Sequence, residues 1–203
     1  MDIYCINLKE RTDRLEKIKK NIENVNKNKF INLIIIEAVK HKRGEIGCGL
    51  SHQKIIKIAI EKKLDNIVIV EDDNICINNT IDIIKTAISS LPDDYDILLG
   101  GAHFLSNPIK ITDNLFKIKK FSGTNFIMYN KSAYEKILKW ERGHIDCFIS
   151  NLSKNNKLNI YITYPFIGKS MPDYSDIKKK KINYMPKFNH YENILKKYIE
   201  KIH

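Results

Sequence analysis

At 203 residues, 43% hydrophobic and 29% charged, with eight glycines and five prolines, the chain has the size and composition of one folded domain and excludes a long linker-built or disordered architecture. Lys and Arg total 35 against 24 Asp and Glu, a formal charge of +11. That excess suits nucleotide phosphates, nucleic acid or an acidic membrane, although scattered Lys/Asn-rich stretches are also what a solvated surface carries.

Four widely spaced cysteines, Cys5, Cys48, Cys76 and Cys147, lack the C-x-x-C pairing of a zinc ribbon and are expected as reduced thiols. Met1-Asp2-Ile3-Tyr4-Cys5 opens a β-prone run with no basic n-region, so no signal peptide is expected. No uncharged apolar stretch approaches the ~20 residues of a membrane span. The expected location is the cytoplasm or a host-cell interior.

Residues 3–8 predict a strand. It leads through Arg11-Thr12-Asp13-Arg14 into a helix whose apolar positions are Leu15, Ile18, Ile22 and Val25. Thr12 or Asp13 is the expected cap, with Glu16 completing a capping box. A strand at 30–36 and a helix at about 48–63 follow, the latter approached through the glycine-rich Gly44-Glu45-Ile46-Gly47-Cys48-Gly49. Asn66-Ile67-Val68-Ile69-Val70 has the continuous β-branched form of a strand buried on both faces, and it ends directly in Glu71-Asp72-Asp73.

Beyond it come a helix from Thr80 to Pro92, a strand at 95–99 closed by Gly100-Gly101, strands near 116–119 and 126–129, and a helix at 132–140. An alternating strand is expected at 158–164. Lys178 to Lys181 mark a basic surface turn. The tail, with Tyr191, Ile194, Leu195, Tyr198, Ile199 and Ile202, reads as an amphipathic helix. Packing on the body is the first expectation for it; a partner chain or peripheral contact with an anionic membrane are the others. The alternation of strand and helix predicts an α/β domain, a mainly parallel sheet with helices on both faces.

In open α/β sheets ligands bind beyond the carboxyl ends of the strands. Glu71 and Asp73, two apart at such an end, can face one side and offer hard oxygen ligands to Mn²⁺ or Mg²⁺. The plain alternative is that acids end a strand because the chain has reached water. Arg11 and Arg14 fall where guanidinium donors and helix amides can meet a diphosphate or a base. The glycines of 44–49 fit neither the P-loop nor the dinucleotide fingerprint, and His52 is expected as a core or capping residue.

Taken in order, Tyr4-Cys5-Ile6-Asn7-Leu8 with Arg11, Asp13 and Arg14, then Gly44-Glu45-Ile46-Gly47-Cys48 with Leu50-Ser51-His52, then Val70-Glu71-Asp72-Asp73, closely resemble glycosyltransferase family 25. That family includes bacterial lipooligosaccharide galactosyltransferases and collagen hydroxylysine galactosyltransferases. The likeness continues more weakly to Tyr174-Ser175-Asp176-Ile177. It implies a single GT-A domain, Rossmann-like, over residues 1–177, with 178–203 as a basic linker and amphipathic helix.

It further implies a UDP-sugar donor, Mn²⁺ dependence and inversion; galactose and glucose are the expected sugars, Mg²⁺ is the other ion the acids suit, and a glycan or a collagen-like hydroxylysine is the expected acceptor. Carried over by position, Asn7, Leu8, Arg11 and Arg14 look like nucleotide contacts, with Glu45, Ser51 and Asp72 completing the donor site. Glu71 and Asp73 look like the metal ligands. Asp176 and Asp146 are the competing bases; the segment His144-Ile145-Asp146 lacks the proline that the family carries there. Two other classes stand beside this reading: a UDP-binding module without turnover, and a basic nucleic-acid or membrane-surface protein. Nucleic acid is not expected as the partner.

Overall fold

A computed structural model describes residues 1–200; Ile202 of the tail pattern lies outside the described residues. The first half runs β1 (Asp2–Asn7), α1 (Thr12–Val25), β2 (Asn32–Glu37), α2 (Gly44–Glu61), β3 (Asn66–Glu71), β4 (Asn74–Cys76), α3 (Thr80–Ser89) and β5 (Ile97–Leu99). Then come β6 (Phe104–Ser106), β7 (Ile109–Thr112), β8 (Leu115–Ile118), β9 (Lys120–Ser122), β10 (Phe126–Asn130), α4 (Lys131–Ile137) and α5 (Ile145–Lys154). The chain closes with β11 (Ile160–Thr163), β12 (Gly168–Ser170), β13 (Asp173–Ser175), β14 (Lys180–Ile182) and α6 (Met185–Glu200).

Eight strands form the central sheet in the order β2-β1-β3-β10-β5-β11-β8-β7. Six point one way, while β10 and β8 oppose them. The β-branched run of β3 is buried on both faces, as its sequence predicts. Successive side chains of a strand point to opposite faces, so Ile67 and Ile69 meet Ile55, Ile56 and Ala59 of α2 in one core. Val68 and Val70 enter the other, with Ile18 and Ile22 of α1 and Ile84 of α3. Each such side chain contributes about 1.5–3 kcal/mol by leaving water, so helices cover both faces of the sheet.

The position of β10 matters most for the site. It runs antiparallel to β3 with Phe126 opposite Val70. The residues just before it, Thr124 and Asn125, therefore arrive beside the carboxyl end of β3, where the acids are.

Several local expectations are corrected. The cap of α1 is Arg11, with no side-chain capping bond, because Asp13 is bound to the Arg11 guanidinium instead. The glycine-rich segment is not a loop: α2 begins at Gly44. Its glycines permit close packing, since a Cβ on Gly47 would lie 2.5 Å from the Val39 carbonyl oxygen, and one on Gly49 would lie 2.2 Å from the Trp140 ring. The strand expected to alternate at 158–164 is buried along all four residues of β11, because the sheet continues past it to β8 and β7.

Of the cysteines, all four free, Cys5 and Cys76 are buried while Cys147 is exposed. The tail helix starts at Met185 and docks on the body through Phe188 and Leu195, both fully buried. The 177/178 boundary falls in the turn between β13 and β14, which pair with each other. Among the described residues no helix is long and apolar enough to cross a membrane.

Candidate active site

A cleft of about 470 Å³ opens at the carboxyl ends of β1, β2 and β3, and this volume suits a small-molecule ligand. Leu8, Val39 and the first turn of α2 form one wall; Gly123, Thr124, Asn125 and Asp146 form the facing one. Glu71, Asp72 and Asp73 lie between them, and residues 175–179 border the opening.

The three acids have different surroundings. Asp72 is buried: its Oδ1 accepts from Arg14 Nη1 at 2.9 Å and its Oδ2 from Asn7 Nδ2 at 2.8 Å. Burial still raises its pKa against the opposing pull of Arg14. Asn7 also donates to the Arg11 carbonyl, so it ties the end of β1 to the loop that follows. Glu71 accepts from Thr124 Oγ1 at 2.5 Å, and desolvation, reinforced by the charge of Asp73, holds its carboxyl well above the usual carboxylate range. Asp73 accepts from two neutral donors, Asn125 Nδ2 at 2.8 Å and Ser170 Oγ at 2.9 Å. Among the described residues neither Glu71 nor Asp73 has a Lys or Arg partner, whereas Asp72 has one. Two clustered carboxylates without a direct ion-pair partner, although the Arg14 charge reaches Asp73 through space, fit a hard divalent cation.

On the other side of Glu71, Cys48 and His52 bring Sγ and an imidazole nitrogen within 4.8 Å of its carboxylate and of each other. His52 is fully buried, with Nδ1 3.2 Å from the Tyr129 hydroxyl and Nε2 unpartnered, and burial pushes its pKa down to about 3. It is a neutral core residue, as the sequence suggests. Ser51 is fully buried as well; its hydroxyl accepts from Val39 N at 2.8 Å and donates to Gly47 O at 2.7 Å. Its bonds hold the wall together. Glu45, in the first turn of α2, pairs with Arg43 at 2.8 Å.

The two arginines expected at the diphosphate are engaged by protein acids. Arg11 contacts Asp176 at 2.5 Å, Asp13 at 2.9 Å and Asp173 at 3.3 Å. Arg14 Nη2 donates to the Tyr174 carbonyl at 2.6 Å while Nη1 holds Asp72. Together they clamp the β13–β14 hairpin beside the cleft.

Asp146, in the first turn of α5, accepts from the backbone N–H of Gly123 at 3.0 Å and of Cys147 at 2.8 Å. Gly123 has φ +104, a conformation that favours glycine. Beside it, His103 stacks on Tyr184 with ring centroids 4.3 Å apart, and burial lowers its pKa to about 4. His103 and Ser122 also line a second groove, bounded by Phe104, Lys187, His190 and Tyr191, that continues from the cleft.

Sequence reasoning missed Asn125, Ser170, His103 and Tyr184. Asn125 directly follows Gly123-Thr124 and precedes the apolar run of β10, and nothing local marks it as a partner of Asp73. Ser170 reaches Asp73 only because β12 pairs with β4, a contact between segments far apart in the chain.

No curated protein matches the chain in sequence. Among solved structures, the STIV protein A197 is 12% identical with a TM-score of 0.52, covering 89% of this chain and 92% of that one. A Drosophila β1,4-galactosyltransferase 7, solved with manganese, UDP-Gal and xylobiose, is 12% identical with a TM-score of 0.51, covering 90% of this chain and 75% of that one. At such identity the likeness carries the fold, which is the GT-A arrangement. A family model described as glycosyltransferase family 25 (LPS biosynthesis protein) matches residues 40–148, more than half of the chain. That stretch runs from the wall before α2, through the acid-tipped β3, to the turn that carries Asp146, and on it the chain belongs to glycosyltransferase family 25.

Proposed function

We propose that the protein transfers a hexose, galactose or glucose, from a UDP-sugar to a hydroxyl acceptor with inversion and with a requirement for Mn²⁺ that Mg²⁺ meets in part. The observation that carries this reading is the pair of carboxylates, Glu71 and Asp73, clustered without a direct Lys or Arg partner among the described residues, in a nucleotide-sized cleft of a GT-A fold. A divalent ion held by these two would offset negative charge on the diphosphate leaving group.

Leu8 and the wall of α2 receive the nucleoside, and Asn7, Arg14 and Asp72 fix the floor beneath it. Glu45 and Ser51 shape the same wall. Asp146 is the general base: it takes the proton of the acceptor hydroxyl as that oxygen attacks the anomeric carbon from the face opposite the diphosphate. Two backbone donors fix its carboxylate, and it adjoins the groove that continues past His103. Asp176, committed to Arg11, positions the hairpin rather than moving a proton. The groove, with Phe104 and Tyr191 offering apolar ring faces, favours a glycan over a collagen-like peptide as acceptor.

The test is a UDP-release screen with Mn²⁺ over UDP-galactose, UDP-glucose and UDP-N-acetylhexosamines, with oligosaccharide and collagen-like peptide acceptors. Asp73→Ala is expected to abolish both turnover and Mn²⁺-dependent UDP binding. Full activity in that variant rejects the metal assignment.

A further inference from the structure

Of the Lys and Arg side chains lining the cleft, two are already neutralised: Arg14 by Asp72 and Lys40 by Glu10. The other two, Lys178 and Lys179, line the same cleft and take part in none of the ion pairs among the described residues. Arg11 is occupied by three carboxylates. The guanidinium groups that the sequence offers to a diphosphate are thus spent on holding the hairpin, and the free cations are on the hairpin's own turn.

That turn is built and seated. The Lys179 N–H donates to the Ser175 carbonyl at 2.8 Å, and the Lys178 N–H donates to Ser175 Oγ at 3.1 Å. Lys179 has φ +54, the left-handed residue that closes the turn. Ile177 lies directly over the start of α2, so close that a Cβ on Gly44 would be 3.1 Å from the Ile177 Cα. The turn that carries the two lysines is therefore seated against the first turn of α2, where the Glu45 carboxylate takes its own backbone N–H.

Resting on the donor reading above, we infer that Lys178 and Lys179 hold the diphosphate of the nucleotide-sugar and stabilise it as it departs. A lysine ammonium is a compact point charge that binds phosphate oxygens without the two-pronged geometry an arginine imposes. The clamp gives the arrangement its order: Arg11 and Arg14 fix β13 through Asp173, Asp176 and the Tyr174 carbonyl, and the turn beyond then presents its ammonium groups to the ligand.

The test is calorimetric titration of the full chain with UDP and with UMP in the presence of Mn²⁺, comparing wild type, Lys178→Gln/Lys179→Asn, and the control Lys180→Gln/Lys181→Gln. The control removes the same charge from β14, beside the turn. The first double variant is expected to bind UDP roughly tenfold or more weakly while its UMP affinity stays within about twofold, and the control is expected to keep wild-type UDP affinity. If the first double variant melts at a lower temperature than wild type, Lys178→Gln and Lys179→Gln separately, each about threefold weaker for UDP, carry the comparison. Unchanged UDP affinity overturns the lysine assignment and leaves the donor reading standing. An equal loss in the control, or an equal loss for UMP, overturns it too, since the effect is then bulk charge or the nucleoside. If wild type binds no UDP in the presence of Mn²⁺, the donor reading fails and the lysine assignment with it.

Discussion

Replacing Asp72 by Ala removes the acceptor of both Arg14 Nη1 and Asn7 Nδ2. Side-chain exposure is 9% for Asp72 and 11% for Arg14, so water does not substitute freely for the lost partner. Breaking a buried ion pair from one side costs about 3–5 kcal/mol, because the remaining charge is left uncompensated. Arg14 keeps the Tyr174 carbonyl at 2.6 Å and a contact to Asp173 at 3.5 Å, which puts the expected loss at the lower end, about 3 kcal/mol. For a chain of this length that is a fall in Tm of about 6–12 °C. Far-UV circular dichroism melts and urea titrations of Asp72→Ala, Arg14→Met and the double variant give the comparison. The double variant is expected to recover most of the loss, since it leaves no charge stranded. A Tm for Asp72→Ala within about 2 °C of wild type, with no coupling in the cycle, would refute the reasoning. Added Mn²⁺ should leave the deficit of Asp72→Ala unchanged, which separates Asp72 from its neighbour Asp73.

The two candidate bases separate by a split between kcat and KM. Asp146→Asn is expected to lower kcat about 10²–10⁴-fold with donor KM little changed, whereas Asp176→Asn loosens the hairpin and should raise donor KM; steady-state kinetics decides, and a fully active Asp146→Asn removes it as the base. Gly49→Ala should destabilise by about 1–3 kcal/mol in urea titration, against the usual helical gain, because the new methyl meets the Trp140 ring at 2.2–2.6 Å; a more stable variant refutes the packing. His103, held by burial at about 4 against an ordinary 6.5, stays neutral in the fold while the unfolded chain takes up a proton. Stability contributed by that neutral ring is therefore lost as pH falls from 6.5 toward 4, and His103→Phe should flatten the dependence of the urea midpoint over this window; an unchanged slope counts against it.

Features written in local pattern were legible in the sequence. The β-branched run of β3 announces burial on both faces, and the acids that follow it do line the cleft at the carboxyl end of the sheet. The tail's apolar positions announce a helix, and Leu195 does enter the core. What escaped depends on partners distant in the chain. Phe126 to Tyr129 is apolar throughout, so nothing in it tells an antiparallel strand between β3 and β5 from a parallel one. The start of α2 was hidden because glycine's helical cost, about 1 kcal/mol, argues for a loop, and only the closeness of Val39 and Trp140 explains its use. Arg14 does line the cleft, but the hairpin partners of Arg11 and Arg14, Asp173 and Tyr174, lie some 160 residues further on, beyond any spacing rule.

The span of the Arg11–Asp176 contact, 165 residues, sets an order of events in synthesis. On the ribosome the N-terminal portion emerges first and can begin to organise as a unit. The β1, β2 and β3 ladder, complete by residue 71, can register early, yet the hairpin beside the cleft begins only at residue 173. A nascent polypeptide halted before residue 173 would own its acids and the Arg14–Asp72 pair but leave the hairpin contacts of both arginines unmade. Closure of this side of the cleft thus waits on about a hundred residues of chain beyond the acids.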